Sequence, residues 1–208
     1  MNPASQSPTS NAKSRRVVAN ISLSLDGRIH GSAGEHDMGW IVPHAISDTS
    51  RDHMIRVTST GTTALLGRKN SEGFSGFWPS VADDETADPR DRAFSRWLNE
   101  VDKVVFSTIQ TESAWENATL TSRSPAEVVA DLRAQGGGDI VVLSSSSVIR
   151  QLLEADAIDR LSITLCPETV GGGARLFDDD VRTSGSWRLT DHTITETGAL
   201  CLLYDRVR

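Results

Sequence analysis

The sequence predicts an α/β fold: a central, mostly parallel sheet flanked by helices and finished by an antiparallel hairpin. Three observations point there. Short runs rich in Val, Ile and Leu alternate with segments of helical periodicity, the pattern of strands joined by crossover helices. The last two apolar runs, 187–197 and 199–207, flank Gly198 and read as a hairpin. Hydrophobic residues are 38% of the 208 and charged residues 24%, which gives one domain of this length a core.

Residues 16–25 (RVVANISLSL) read as a buried first strand. Asp26-Gly27 opens a loop carrying Gly31 and Gly34. After Pro43 a helix is expected over 45–58, with Ile46, Met54, Ile55 and Val57 as its apolar set. Ala64, Leu65 and Leu66 form a short strand ending at Gly67. The stretch 74–91 holds Gly76, Pro79 and Pro89 and is expected to be a loop; 92–100 is a helix with Phe94, Trp97 and Leu98 on one face. KVVFS at 103–107 is a strand. Ser124-Pro125-Ala126-Glu127 signs a helix start, because Ser124 can cap, Pro125 suits the first helical position and Glu127 completes a capping box. That helix should stop at the glycines 136–138. Asp139–Leu143 (DIVVL) is a buried strand, 147–155 a helix, and Arg160–Cys166 a strand; the glycines 171–173 make a tight turn.

The net charge is −7, from 21 basic and 28 acidic residues. A chain of this sign repels phosphate backbones, so nucleic acid is not an expected partner. No apolar run approaches the roughly 20 residues that span a bilayer, so no membrane is expected either. Residues 1–14 are polar and lack a signal-peptide apolar stretch; they are expected to form a disordered tail before one domain at 15–208. Cys166 and Cys201 lie in apolar runs outside any CxxC, which predicts buried thiols in a reducing cytoplasm. The five histidines show no metal-ligand spacing, so no metal is expected. His30, His36 and His44 cluster after the first strand and read as surface histidines, one of which could face a ligand.

Three strand ends carry residues suited to phosphates. Leu66-Gly67-Arg68-Lys69-Asn70 delivers two cations where a strand stops, and Arg68 can grip a phosphate with its fork. A solvated basic turn is the alternative. Ser107 and Thr108 end the next strand and offer hydroxyls, as ordinary strand ends also do. Ser144, Ser145, Ser146 and Ser147 lead into a helix, where unpaired N–H groups attract anions; simple capping explains them equally well. Neither G-x-G-x-x-G nor G-x-x-x-x-G-K-[ST] occurs.

The order of these segments resembles the dihydrofolate-reductase-like superfamily, and within it the C-terminal reductase domain of the riboflavin deaminase–reductase and its stand-alone bacterial relatives. The residues that carry the resemblance begin with Ser24-Leu25-Asp26-Gly27-Arg28-Ile29, Gly39-Trp40, Leu66 to Phe74 (LGRKNSEGF) and Phe77-Trp78-Pro79. They continue with Trp97-Leu98-Asn99, the 103–107 strand, Trp115-Glu116-Asn117, the 139–143 strand and Gly171 to Phe177 (GGGARLF). The resemblance implies a three-layer fold whose mixed sheet of about eight strands holds NADPH across its strand ends. It implies phosphate contacts from Gly67, Arg68, Lys69 and Asn70, 2′-phosphate contacts from Ser107 and Thr108, and a pyrophosphate under residues 144–147, where relatives usually carry glycines. Asn20 to Ser22, with Ile29 or His30, would approach the nicotinamide. A small-molecule substrate would rest near Trp40, His44 and Phe74, with Asp26 and Asp48 as candidate proton donors. The implied activity is hydride transfer to a C=N or C=O carbon of a small heterocycle by a homodimer. No H-x-E or P-C-x-x-C deaminase signature is present. Ala45 stands where folate-reducing members carry an acidic residue, which disfavours folate. The alternative is a non-catalytic ligand-binding protein that kept the fold.

Overall fold

In the computed structural model, residues 15–110, 112–113, 115–178 and 182–208 are described; the expectation for 1–14 falls outside them. The first strand, β1 (Val17–Ser24), is buried on both sides because it lies mid-sheet. After it come a 3-10 turn (Gly39–Ile41), α1 (Val42–Ala45), α2 (Asp48–Thr58) and β2 (Gly61–Gly67). Then follow α3 (Arg68–Val81), α4 (Pro89–Glu100), β3 (Asp102–Phe106), β4 (Ala118–Thr121) and α5 (Pro125–Arg133). The chain ends with β5 (Asp139–Leu143), α6 (Ser146–Glu154), β6 (Arg160–Cys166), β7 (Ser186–Ile194) and β8 (Leu200–Val207).

Among the described residues, eight strands form one sheet in the order β4-β3-β2-β5-β1-β6-β8-β7. The pairs from β4 through β6 are parallel; β8 runs antiparallel to both β6 and β7. This is the mostly parallel sheet with an antiparallel C-terminal hairpin that the alternating pattern predicts. Alternation along each strand divides two cores. Val17, Ala19, Ile21, Leu65, Ile140 and Val142 face one side with Val148, Ile149 and Leu152 of α6. Val18, Ala64, Leu66, Val141 and Leu143 face the other, with Val57 of α2 and Phe94 and Leu98 of α4.

The capping box forms as read: Ser124 Oγ accepts from Glu127 N, and the Glu127 carboxylate accepts from Ser124 N at 3.1 Å. Both cysteines are free and buried, and burial pushes the Cys166 thiol up to about 12.

The loop expected over 74–91 is corrected. Residues up to Val81 belong to α3, with Pro79 inside it. Gly73 and Gly76 lie on its open side, while Phe74 and Trp78 pack inward; Trp78 meets Phe94 edge-on at 4.7 Å between ring centroids. That apolar stripe outweighs a helix-propensity cost of about 1 kcal/mol per glycine. The helix expected at 45–58 is interrupted at Ile46-Ser47. Strand β4 has no counterpart in the sequence reading. Lys103, the first residue of the strand read at 103–107 and part of β3, is only 1% exposed. Its ammonium donates to the carbonyls of Leu98 and Val101, both at 2.7 Å, and lies over the Trp115 ring. It thereby satisfies carbonyls at the end of α4, and burial pushes its pKa down to about 8.

Candidate functional site

Strands β1 to β5 all deliver their C-terminal ends to one side of the sheet, where ligands of α/β proteins collect. A cleft of about 1010 Å³ lies there. Its walls include Ser22, Ile29, Gly67, Arg68, Lys69, Asn70, Ser107, Thr108, Ser144, Ser145, Ser146 and Ser147. The structure therefore brings together the residues that the resemblance assigned to a cofactor, except Asn20, which is buried and does not line the cleft.

Two helices, α3 and α6, begin on this cleft. Their N-caps, Gly67 and Ser145, make no side-chain cap hydrogen bond, and neither first turn carries an acidic residue. The other long helices differ. Asp88 caps α4, a capping box with Glu127 closes α5, and α2 starts on Asp48. So, among the described residues, no side-chain cap and no first-turn acid offsets the positive dipole ends of α3 and α6. The side-chain capping offered as the alternative for residues 144–147 does not form at the N-cap, Ser145.

The Ser145 hydroxyl is used elsewhere. It accepts from Gly67 N (2.9 Å), donates to Leu143 O (2.8 Å) and lies 3.2 Å from Asn70 Nδ2. Asn70 Nδ2 also reaches the carbonyls of Leu143 (3.2 Å) and Ser144 (2.5 Å). These bonds join the β2–α3 corner to the β5–α6 corner. Ser144 adopts the left-handed region at φ 46°, a conformation that favours glycine. Gly67 is different: a Cβ there would meet only ordinary contacts, the nearest at 3.6 Å, so protein neighbours do not require glycine. The space it leaves opens toward the cleft and suits the close approach of a ligand backbone.

Three of the cleft's cations are paired with exchangeable carboxylates. Arg68 donates to Glu72 at 2.8 Å one turn along α3, and Lys69 pairs with Glu35. Arg123, at the end of β4, pairs with Asp131 at 2.8 Å and also lines the cleft. Sequence reading missed Arg123, because the short β4 that presents it gave no signal. Ser107 Oγ accepts from the backbone of Gln110 at 2.9 Å and shapes the turn that exposes Thr108.

The other expected site residues lie outside the cleft walls. Asp26 accepts from Ser24 Oγ (2.7 Å) and from the backbone N–H groups of Val170 and Gly171 (both 3.0 Å). The Ser24 hydroxyl first, then these N–H groups, hold its carboxyl well below the usual carboxylate range. It ties two loops together and is ill suited to deliver a proton. Asp48 points to solvent and pairs with Arg90 at 2.5 Å, on the α4 side of α2. His44 is buried, against the surface reading: Nδ1 meets Thr197 Oγ1 at 2.8 Å and Nε2 meets Glu168 at 3.2 Å. Phe74 packs in the second core rather than on a substrate surface. Trp40 sits in the 3-10 turn with Nε1 buried and unpartnered among the described residues; its neighbours Met38 and Ile41, not its own ring, line the cleft.

The three layers, the strand order and the cleft at the strand ends define a dihydrofolate-reductase-like α/β protein. The fold is shared with a dihydrofolate reductase from Enterococcus faecalis complexed with NADP(H), at a TM-score of 0.57 and 17% identity over 93% of this chain and 97% of that one. The chain belongs to the RibD C-terminal domain family, whose model matches residues 15–201. It is similar to a Shewanella sp. PV-4 protein described as a riboflavin biosynthesis protein, with a TM-score of 0.67, 22% identity, and coverage of 93% and 99%. It is also 24% identical over 196 residues to the uncharacterized protein YyaP of Bacillus subtilis (strain 168), covering 94% of this chain and 97% of that one.

Proposed function

We propose that the chain is an NADPH-dependent oxidoreductase that reduces a C=N or C=O group of a small heterocyclic substrate. One observation carries this reading: two helix starts without side-chain caps or first-turn acids share one cleft at the strand ends. Such a pair suits a pyrophosphate. Family membership and the fold shared with an NADP(H) complex support it.

The residues present fit the cofactor, since Gly67 leaves space that no protein neighbour needs. The N–H groups at the starts of α3 and α6 would hold the pyrophosphate. Arg68, Lys69 and Arg123, with Ser107 and Thr108, would hold the 2′-phosphate, and Ser22 and Ile29 would flank the nicotinamide end. When bound, NADPH supplies the hydride. The chain's own contribution is to orient the two reactants and keep water out; Asp26 and Asp48 are not assigned the proton transfer.

Calorimetric titration tests the reading. The expected dissociation constant for NADPH is micromolar, roughly −7 to −8 kcal/mol. Absence of both NADPH and NADH binding at millimolar cofactor, in a folded protein, would leave a non-catalytic ligand-binding protein as the better reading.

We further propose a homodimer in the cytoplasm. The edge strand β7 exposes Leu189 and Ile194, and edges of this kind are normally covered. The two buried free thiols suit a reducing compartment. Light scattering should give twice the 22.5 kDa chain mass at micromolar concentration; the single-chain mass would rule the dimer out. No helix among the described residues is long and apolar enough to cross a membrane.

A further inference from the structure

Strands β2, β3 and β4 run parallel, so their N-terminal ends, opposite the cleft, also come together. A cavity of about 570 Å³ lies there. Along β2, Thr63 in its wall is about 13 Å from Gly67 at the cleft, at roughly 3.3 Å per residue. Thr62 and Asp102 line the cavity and are exposed, so it opens to solvent. Arg15, Thr63, Lys103 and Trp115 line it too, and each is more than nine-tenths buried.

The cavity's polar groups leave donors unspent. Arg15 Nη2 donates to the hydroxyls of Thr62 (3.0 Å) and Thr63 (2.7 Å), and Gly138 N donates to Thr62 at 2.9 Å. A guanidinium accepts nothing, so both hydroxyls act as acceptors here and keep their own protons. Neither proton meets an acceptor among the described residues. Trp115 Nε1 is buried and also has no partner among them. The two cations lack counter-charges as well. Arg15 otherwise reaches only the carbonyls of Gly138 (2.8 Å) and Leu132 (3.4 Å). Lys103 spends two N–H groups on carbonyls and lies 5.0 Å from the Trp115 ring centroid. Burial lowers the pKa of both cations. Asp102 opposes this for both, helped by Asp139 for Arg15 and Glu116 for Lys103, but none of these carboxylates forms an ion pair with either. Buried charges are ordinarily paired; here neutral oxygens fill the hydrogen bonds and leave the charge.

We infer that this cavity is a second binding site, separate from the cleft, for a small molecule bearing a carboxylate or phosphate group. The oxygens of that group accept the protons of Thr62, Thr63 and Trp115 and bring negative charge beside Arg15 and Lys103. The site does not depend on what the cleft binds.

The test titrates the full ¹⁵N,¹³C-labelled chain with citrate and with inorganic phosphate, each against sodium chloride of equal ionic strength. The Trp115 indole N–H, one of five tryptophan signals, is assigned by its absence in Trp115→Phe. It should move downfield and saturate with citrate, phosphate or both, and stay in chloride; the tighter of the two anions tells carboxylate from phosphate. Lys103, followed at its Cε and assigned with Lys103→Met, should titrate about one pH unit higher with the anion bound, as a nearby opposite charge produces. Thr62→Val, at an exposed position, should weaken binding about three- to tenfold, the effect of one hydrogen bond, and Thr62→Ser should restore it. Arg68→Ala, in the cleft, should leave the Trp115 response unchanged. A Trp115 N–H or a Lys103 titration that moves with neither anion overturns the inference. So does a response that disappears in Arg68→Ala, since the anion would then be acting from the cleft.

Discussion

Arg68→Ala is expected to weaken NADPH binding about ten- to a hundredfold and NADH binding much less, because one charge-assisted contact to phosphate contributes roughly 1.5–3 kcal/mol. Arg68 is the first residue of α3, and its fork is held by Glu72 in the free protein. That pair is partly exposed, with side chains 28% and 46% accessible, and exposed pairs contribute about 0.2–1 kcal/mol. The phosphate contact is the stronger of the two, so the guanidinium should exchange its partner on binding. Glu72→Gln should then act in the opposite direction and tighten NADPH, since it removes both the competitor and a nearby negative charge. Titration of both cofactors against the three proteins checks this. Equal losses for NADPH and NADH in Arg68→Ala would remove Arg68 from the 2′-phosphate, although a pyrophosphate role would survive.

The second large effect is a loss of stability in mild acid. The unfolded chain takes up a proton on His53 as pH falls through 6.5, while in the folded chain the buried ring resists until about 4. In that window the unfolded state binds more protons, so stability present above pH 6.5 declines as pH falls toward 4. A shift of this size corresponds to about 3 kcal/mol. The lowered carboxylates, such as Asp139, Asp205 and Glu196, act below their ordinary values of 3.8 and 4.5, so most of the window belongs to histidine. His53→Gln keeps a donor toward Ser162 and cannot titrate. Urea unfolding of both proteins from pH 7 to pH 4.5 should show a steeper decline in the wild type. Parallel curves would mean that His53 is protonated in the folded state without strain.

Much of the sheet was legible because strands report themselves through burial on both faces. DIVVL at Asp139–Leu143 and LSITLC within Arg160–Cys166 have no competing helical period, and both occur as read. The cleft at the strand ends, proposed to take the cofactor, was legible for a related reason. Gly67, Arg68 and the serines at 144–147 stand immediately after such strands, and the end of a parallel strand fixes where the next residue emerges. The positions of the residues expected at the substrate were not legible. Asp48, His44 and Phe74 lie on helices, where direction depends on which arc faces the core. The α3 segment hid its Phe74 and Trp78 stripe behind Gly73, Gly76 and Pro79, which read as breakers. The buried chain of hydrogen bonds from Arg56 through His53 and Ser162 to Asn20 joins residues up to 142 positions apart, so no local pattern could announce it.

The Ser145 hydroxyl has a thermodynamic consequence for ligand capture. Because it fastens Gly67 to Leu143, and Asn70 fastens the same two corners, the backbone at the proposed pyrophosphate site is ordered before any ligand arrives. Little conformational entropy is then lost at that end on binding. The long, partly exposed side chains of Arg68, Lys69 and Arg123 would instead have to break their exposed carboxylate pairs and be fixed anew on the proposed phosphate, losing whatever rotamer freedom those weak pairs leave them. Association should thus divide into a rigid half and an adaptable half, with the entropic penalty concentrated on the phosphate that distinguishes NADPH from NADH.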